Sequence, residues 1–118
     1  MQPNLIRDKI IAMQKNYKPP FSRFVKKAHK PLQLAIEDAV EDVCENPEIG
    51  EAKVGDLAGI RVCKFKFNRQ ELLMAYRPPT PEARRQGVEV ELLMIDFYQV
   101  GLHENFYAAL KRYLKSEE

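Results

Sequence analysis

The stretch Val88-Glu89-Val90-Glu91-Leu92-Leu93-Met94-Ile95-Asp96-Phe97-Tyr98-Gln99-Val100-Gly101-Leu102-His103-Glu104-Asn105-Phe106-Tyr107 decides the fold. From Val88 to Val100 it is mainly apolar, with β-branched and aromatic residues recurring along it, and reads as a strand. Gly101 breaks that strand, and the residues from Leu102 to Tyr107 open a closing helix. The junction places an imidazole, a carboxylate and a phenol (His103, Glu104, Tyr107) close together at the rim of a sheet.

Working back from that strand, the period-2 pattern continues to about Pro47. Glu71 to Arg77 is a second strand, joined by a polar turn at Asn68-Arg69 to a third, Ile60 to Phe67. Arg61, Cys63, Phe65 and Phe67 share one face of it, and Ile60, Val62, Lys64 and Lys66 share the other. Gly55-Asp56-Leu57-Ala58-Gly59 is a turn, and Glu51 to Val54 a short edge strand. Before Pro47 the period is near 3.6. Leu32, Ile36, Ala39, Val40 and Val43 line one helix, stopped by Asn46-Pro47. Phe21, Phe24, Val25 and Ala28 line another, announced by Pro19-Pro20 and ended before Pro31, and the two helices form an antiparallel hairpin. Ile6, Ile10, Met13 and Tyr17 mark a short helix after Pro3, so residues 1–18 read as an N-terminal helical extension. The expected architecture is α+β: an antiparallel meander of three to four strands, covered on one face by the helical hairpin, with a C-terminal helix.

The chain has 118 residues, 45% hydrophobic and 31% charged, which suits one domain over 1–118 and is too short for two. No long apolar run and no signal-peptide layout is present, which points to a soluble cytoplasmic protein without a membrane partner. Cys44 and Cys63, far apart and with no His at ligand spacing, read as buried thiols and support neither a zinc site nor a disulfide framework. No glycine-rich phosphate loop or metal-binding motif appears, so no cofactor is expected.

The net charge of +2 conceals blocks: +7 over residues 1–31, −7 over 32–52, +5 over 53–87 and −3 from 88 onward. Segregation of this kind suits a dipolar surface with a basic face for nucleic acid or an acidic partner. Arg84 and Arg85, near the tip of the Pro78 to Gly87 loop, either reach along an RNA backbone or simply solubilise an exposed connector.

A cationic strand facing a His/Tyr cluster fits metal-free RNA cleavage. That reaction needs a 2′-hydroxyl activated for attack on the adjacent phosphate, the added charge at phosphorus stabilised, and the departing 5′-oxygen protonated. Lys and Arg serve the second need. His103 serves the first or third, since an imidazole exchanges protons near neutrality, and Tyr107 can donate to a phosphate oxygen or stack on a base. Each residue also has a structural reading. His103 can cap the helix, Glu104 can complement its positive end, Phe106 and Tyr107 can be core, Lys64 and Lys66 can guard a strand edge, and His29 can be a charge partner at a helix C-terminus.

The order Lys53-Val54-Gly55-Asp56-Leu57-Ala58-Gly59-Ile60-Arg61-Val62, then Glu71 to Arg77, then Gly101-Leu102-His103-Glu104-Asn105-Phe106-Tyr107, preceded by the helical hairpin, resembles the RelE/ParE superfamily of bacterial toxins over roughly residues 20–115. The resemblance implies a microbial RNase-like fold and a type II toxin-antitoxin module. RelE-like members enter the ribosomal A site and cut messenger RNA without a metal, and a small antitoxin wraps and neutralises them. ParE-like members inhibit DNA gyrase by binding alone. By the same resemblance Lys64, Lys66, His103 and Tyr107 are the catalytic set, and Lys53 and Arg61 match more loosely as cations that bind the RNA backbone; Arg69, Arg77, Arg84 and Arg85 are further candidate RNA-binding cations. Two departures stand out: Leu102 where many members have His, and a helical N-terminus where the family starts with a strand. The antitoxin is expected to be acidic or amphipathic and to cover the basic face.

Overall fold

The computed structural model describes residues 10–79 and 90–118. Its elements are β1 (Ile10–Tyr17), α1 (Pro19–Lys27), α2 (Lys30–Glu45), β2 (Glu51–Ala52), a 3-10 turn at Gly55–Leu57, β3 (Arg61–Phe67), β4 (Gln70–Arg77), β5 (Val90–Leu102) and α3 (Phe106–Ser116). They build a five-stranded mixed sheet in the order β1-β5-β4-β3-β2. β2, β3, β4 and β5 pair antiparallel, and β1 lies parallel to β5, with Ile10 opposite Val90 and Tyr17 opposite Phe97.

Two expectations change here. Residues 10–17 are a strand where the spacing of Ile10, Met13 and Tyr17 suggested a helix; residues 1–9 lie outside the described residues. The run Ile10-Ile11 is as compatible with extended backbone as with helix. β5 has 13 residues and would otherwise leave a long edge of unpaired backbone groups, so the tertiary partner outweighs the local period. The sheet therefore has five strands, and it is not purely antiparallel.

The second change is that helices cover both faces. On one side Phe21 of α1 and Ile36, Ala39, Val40 and Val43 of α2 pack on Met74, Tyr76, Ile95, Phe97 and Val100. On the other, Phe106 and Leu110 of α3, with Leu57 and Ile60, pack on Val62, Leu73, Ala75 and Tyr98. β4 lies between the two layers, which is why Leu72-Leu73-Met74-Ala75-Tyr76 is a continuous apolar run, every member buried. α1 and α2 follow each other with only Ala28 and His29 between them. Prolines open both helices, at positions where a missing N–H costs no hydrogen bond. Among the described residues no helix is long and apolar enough to cross a membrane.

Candidate functional site

The site is assembled from the segment before β3 and the junction after β5. The first of these is held from the core. The Tyr76 hydroxyl, fully buried, donates to the Pro47 carbonyl at 2.6 Å and accepts the Gly50 N–H at 2.9 Å. Arg61 Nη1 donates to the carbonyls of Gly50 at 2.6 Å and Glu48 at 3.2 Å. A side chain at Gly50 has no room, since its Cβ would stand 2.9 Å from the Tyr76 oxygen. β2 then pairs Glu51 with Val62, and the Lys53 N–H donates to the Ile60 carbonyl at 2.9 Å. Gly59 closes the turn at φ +91, a conformation open to glycine at little cost.

This clamp delivers Lys53 to α3. Its Nζ lies 3.0 Å from Glu51 Oε1 and 5.4 Å from the centre of the Tyr107 ring. The hydrogen bond that Lys53 donates to Glu51 raises the Lys53 pKa, with help from Tyr107 and against a smaller burial effect, which favours its charged form. Glu51 is held below the usual carboxylate range by Lys53 first, and Lys64 adds to the effect. The strand register sets Glu51 opposite Val62, two residues from Lys64 on the same face of β3.

From the other side, β5 continues through Gly101 to Leu102 and stops at His103. Asn105 takes a left-handed conformation at φ 62, the Phe106 N–H bonds back to the His103 carbonyl at 3.1 Å, and α3 begins at Phe106. His103 thus precedes the helix instead of lying within its first turn. The buried Gln99 side chain donates to the Phe106 carbonyl at 2.8 Å and fixes where the helix starts. Although His103 lies outside the helix, its exposed ring still meets Tyr107 edge-on, at 6.0 Å between centroids and 75° between planes. Tyr107 is half-buried and packs against the α3 core, and Phe106 is core, as expected.

Lys64 and Lys66 are exposed and share with Val62 the face that α3 covers, opposite Cys63 and Phe65 under the helical pair. Lys53, Lys64, Lys66, His103 and Tyr107 therefore lie on one side of the sheet, and contacts join Lys53 and His103 to Tyr107. Arg61 does not join them, because its guanidinium is tied to the 48–50 carbonyls. Arg69 occupies the exposed β3–β4 turn at φ 66. Arg77 lies at the far end of β4, donating to the Tyr98 hydroxyl at 3.3 Å. Arg84 and Arg85 fall outside the described residues. His29 follows the C-cap of α1 and stands at the N-cap position of α2 without a side-chain cap bond, and its ring meets Phe67 edge-on at 5.7 Å. Cys44 and Cys63 are free and only partly buried; burial still pushes the Cys63 thiol up to about 11. Among the described residues no three His, Cys, Asp or Glu side chains are grouped to hold a metal.

Glu51 is the residue that reading the sequence missed. Its signal was there: on a strand, residues two apart point the same way, so Glu51 and Lys53 were candidates for a pair.

A family model for the ParE-like toxin of type II bacterial toxin-antitoxin systems matches residues 16–111. Two solved structures are similar in part. The intact E. coli RelBE toxin-antitoxin complex aligns at TM-score 0.49 and 15% identity, covering 79% of this chain and 99% of that one. The isolated E. coli RelE toxin aligns at TM-score 0.48 and 16% identity, covering 86% and 99%. No curated protein matches. The chain belongs to the ParE-like toxin family, and is a type II toxin of the RelE/ParE kind with an antitoxin as its partner.

Proposed function

We propose that this ParE-like toxin is a metal-independent, ribosome-dependent endoribonuclease that cuts messenger RNA in the cytoplasm. One observation carries the reading: the Tyr107 ring has the Lys53 ammonium at 5.4 Å and the exposed His103 imidazole at 6.0 Å. A fixed cation, a proton carrier and a phenol are thereby within reach of one phosphodiester. In the reaction a base takes the 2′-hydroxyl proton, O2′ bonds to phosphorus, the P–O5′ bond breaks, and an acid protonates O5′. The products are a 2′,3′-cyclic phosphate and a 5′-hydroxyl. Lys53, Lys64 and Lys66 offset the charge that builds on the phosphoryl oxygens. His103 exchanges the proton, and the Tyr107 hydroxyl donates to a phosphoryl oxygen or its ring supports a base. The antitoxin would neutralise the toxin by covering this basic face.

A second reading follows from the ParE-like description of the family: a toxin that binds DNA gyrase and performs no chemistry. Primer extension on a defined messenger RNA in a reconstituted translation reaction separates the two. Cuts that need ribosomes and disappear in His103→Ala support the ribonuclease. Intact messenger RNA, together with inhibited gyrase supercoiling by the same folded protein, would replace it with the second reading.

A further inference from the structure

We propose that Gln99 is a positioning residue for the cutting reaction: from inside the sheet it sets where the Tyr107 phenol and the His103 imidazole stand, without touching substrate. The proposal rests on the ribonuclease reading and adds to it the residue that holds its proton carrier and its phenol in place.

A β-bulge brings Gln99 to α3. Gln99 pairs with Ala75 and Phe97 with Tyr76, so Tyr98 is an extra residue without a partner in the β4–β5 register. One extra residue reverses the facing of the side chains beyond it. Phe97 lies in the core layer under α1 and α2, and Tyr98 lies in the layer under α3. Strict alternation would then return Gln99 to the first layer and send Val100 to the second. The bulge reverses both: Val100 packs in the layer of Phe97, and the Gln99 amide donates to the Phe106 carbonyl of α3 at 2.8 Å. Two successive residues of one strand thereby serve α3, Tyr98 as a ring for its core and Gln99 as a donor to its first residue.

Stability alone does not call for an amide at this place. Tyrosines aside, Gln99 is the one buried polar residue among the described residues, at 8% exposed, and its neighbours Tyr98 and Val100 belong to the apolar core. The carbonyl of a helix's first residue already accepts the N–H four residues on, so the Gln99 bond is an addition to the helical ladder. A buried amide with part of its bonding capacity unused is less favourable than an apolar side chain of the same size. What the bond supplies is an anchor. Leu102, His103, Glu104 and Asn105 are all exposed, and Asn105 is left-handed at φ 62 and gives α3 no side-chain cap. Such a turn keeps its shape only where its surroundings hold it. The hold is at Phe106. Its N–H donates to the His103 carbonyl at 3.1 Å, and its own carbonyl, in the same peptide group as the Tyr107 nitrogen, accepts from Gln99. One side chain thus ties both rings of the His103–Tyr107 contact to the sheet.

The test is Gln99→Leu, which keeps the bulk and removes the donor, with Gln99→Met as a second variant of different shape. Cutting of a defined messenger RNA in the reconstituted translation reaction gives kcat and KM. The nuclear Overhauser signal between the His103 and Tyr107 rings, recorded on the protein without RNA, reports their contact. The expected result is a kcat lower by roughly 10–100-fold with KM unchanged, a thermal midpoint that does not fall, and a weakened ring-to-ring signal. Wild-type kcat in the folded variants would overturn the role of Gln99 and leave the ribonuclease reading standing. A lower kcat with the ring-to-ring signal intact would also overturn it, since the loss would not pass through the pair. Failure of both variants to fold would make the amide a requirement of the fold, and the proposal would fall. A wild-type protein that cuts no messenger RNA would overturn the ribonuclease reading itself, and with it any role of Gln99 in cutting.

Discussion

Tyr98 lies under α3 and Tyr107 in its first turn, and each carries a lysine ammonium 5.4 Å from its ring centre. At the Tyr98 end the arrangement is closed. The ring is 3% exposed, Arg77 lies 5.5 Å away as a second cation, and Tyr113 meets it edge-on at 6.3 Å. Lys18, above the ring, is paired at 3.1 Å with Glu117 at the end of α3. The Tyr107 end is open: the ring is half-buried and its neighbour His103 is exposed. A cation over a tyrosine is a common stabilising contact in proteins. A site needs, in addition, a proton carrier that solvent and substrate can reach. The difference suits a structural role at one end of α3 and, on the proposed reading, chemistry at the other.

Exchanging the two tyrosines' roles is the most forceful way to break the comparison. Tyr107→Phe keeps the ring and removes the hydroxyl, and if that hydroxyl acts in the reaction, cutting should fall by about 10²–10⁴-fold with the thermal midpoint unchanged. Undiminished cutting would remove the phenol from the mechanism. Tyr98→Ala should do the reverse, costing about 3–5 kcal/mol in urea unfolding because it empties a buried aromatic site. A small cost there would mean that the closed end is not closed.

A smaller effect comes from the opposite face of the sheet. Burial raises the Cys63 thiol from 9.0 to about 11, so between those values the folded chain keeps a proton that the unfolded chain releases. Stability is therefore lost as pH rises through that window, and Cys63→Val should be spared on the order of 2 kcal/mol of that loss by its upper end. Identical alkaline unfolding of the two proteins would show that the thiol is better hydrated than its packing implies. The smallest effect expected is at the α3 staple. Glu117→Gln should cost less than about 1 kcal/mol, and less still in high salt, because both partners are partly in water.

Most of the sheet was legible, and for local reasons. The Gly55 to Gly59 turn, the alternation in β3 and the polar pair Asn68-Arg69 each carry their own conformational signal. The parallel pairing of β1 with β5 was not legible, because it depends on a partner some eighty positions away, and Ile10-Met13-Tyr17 also satisfies a helical period. The convergence of Lys53 with Tyr107 was equally hidden. It needs the Tyr76 and Arg61 bonds to the 47–50 backbone, and nothing in the identity of Arg61 distinguishes a cation that holds carbonyls from one that holds phosphates. His103 was found as a candidate but placed inside the helix, since the left-handed Asn105 that delays α3 leaves little mark on the pattern.

The claim that the open end of α3 cuts RNA through a ribose hydroxyl is tested most directly by one substitution in the substrate. A messenger RNA carrying a single 2′-deoxy nucleotide immediately 5′ of a mapped cut is translated with wild-type toxin. The account predicts that the cut at that position disappears while cuts elsewhere persist, each leaving a cyclic phosphate and a 5′-hydroxyl. A cut retained at the deoxy position would mean that water attacks instead, and the roles given to Lys53, His103 and Tyr107 would be wrong.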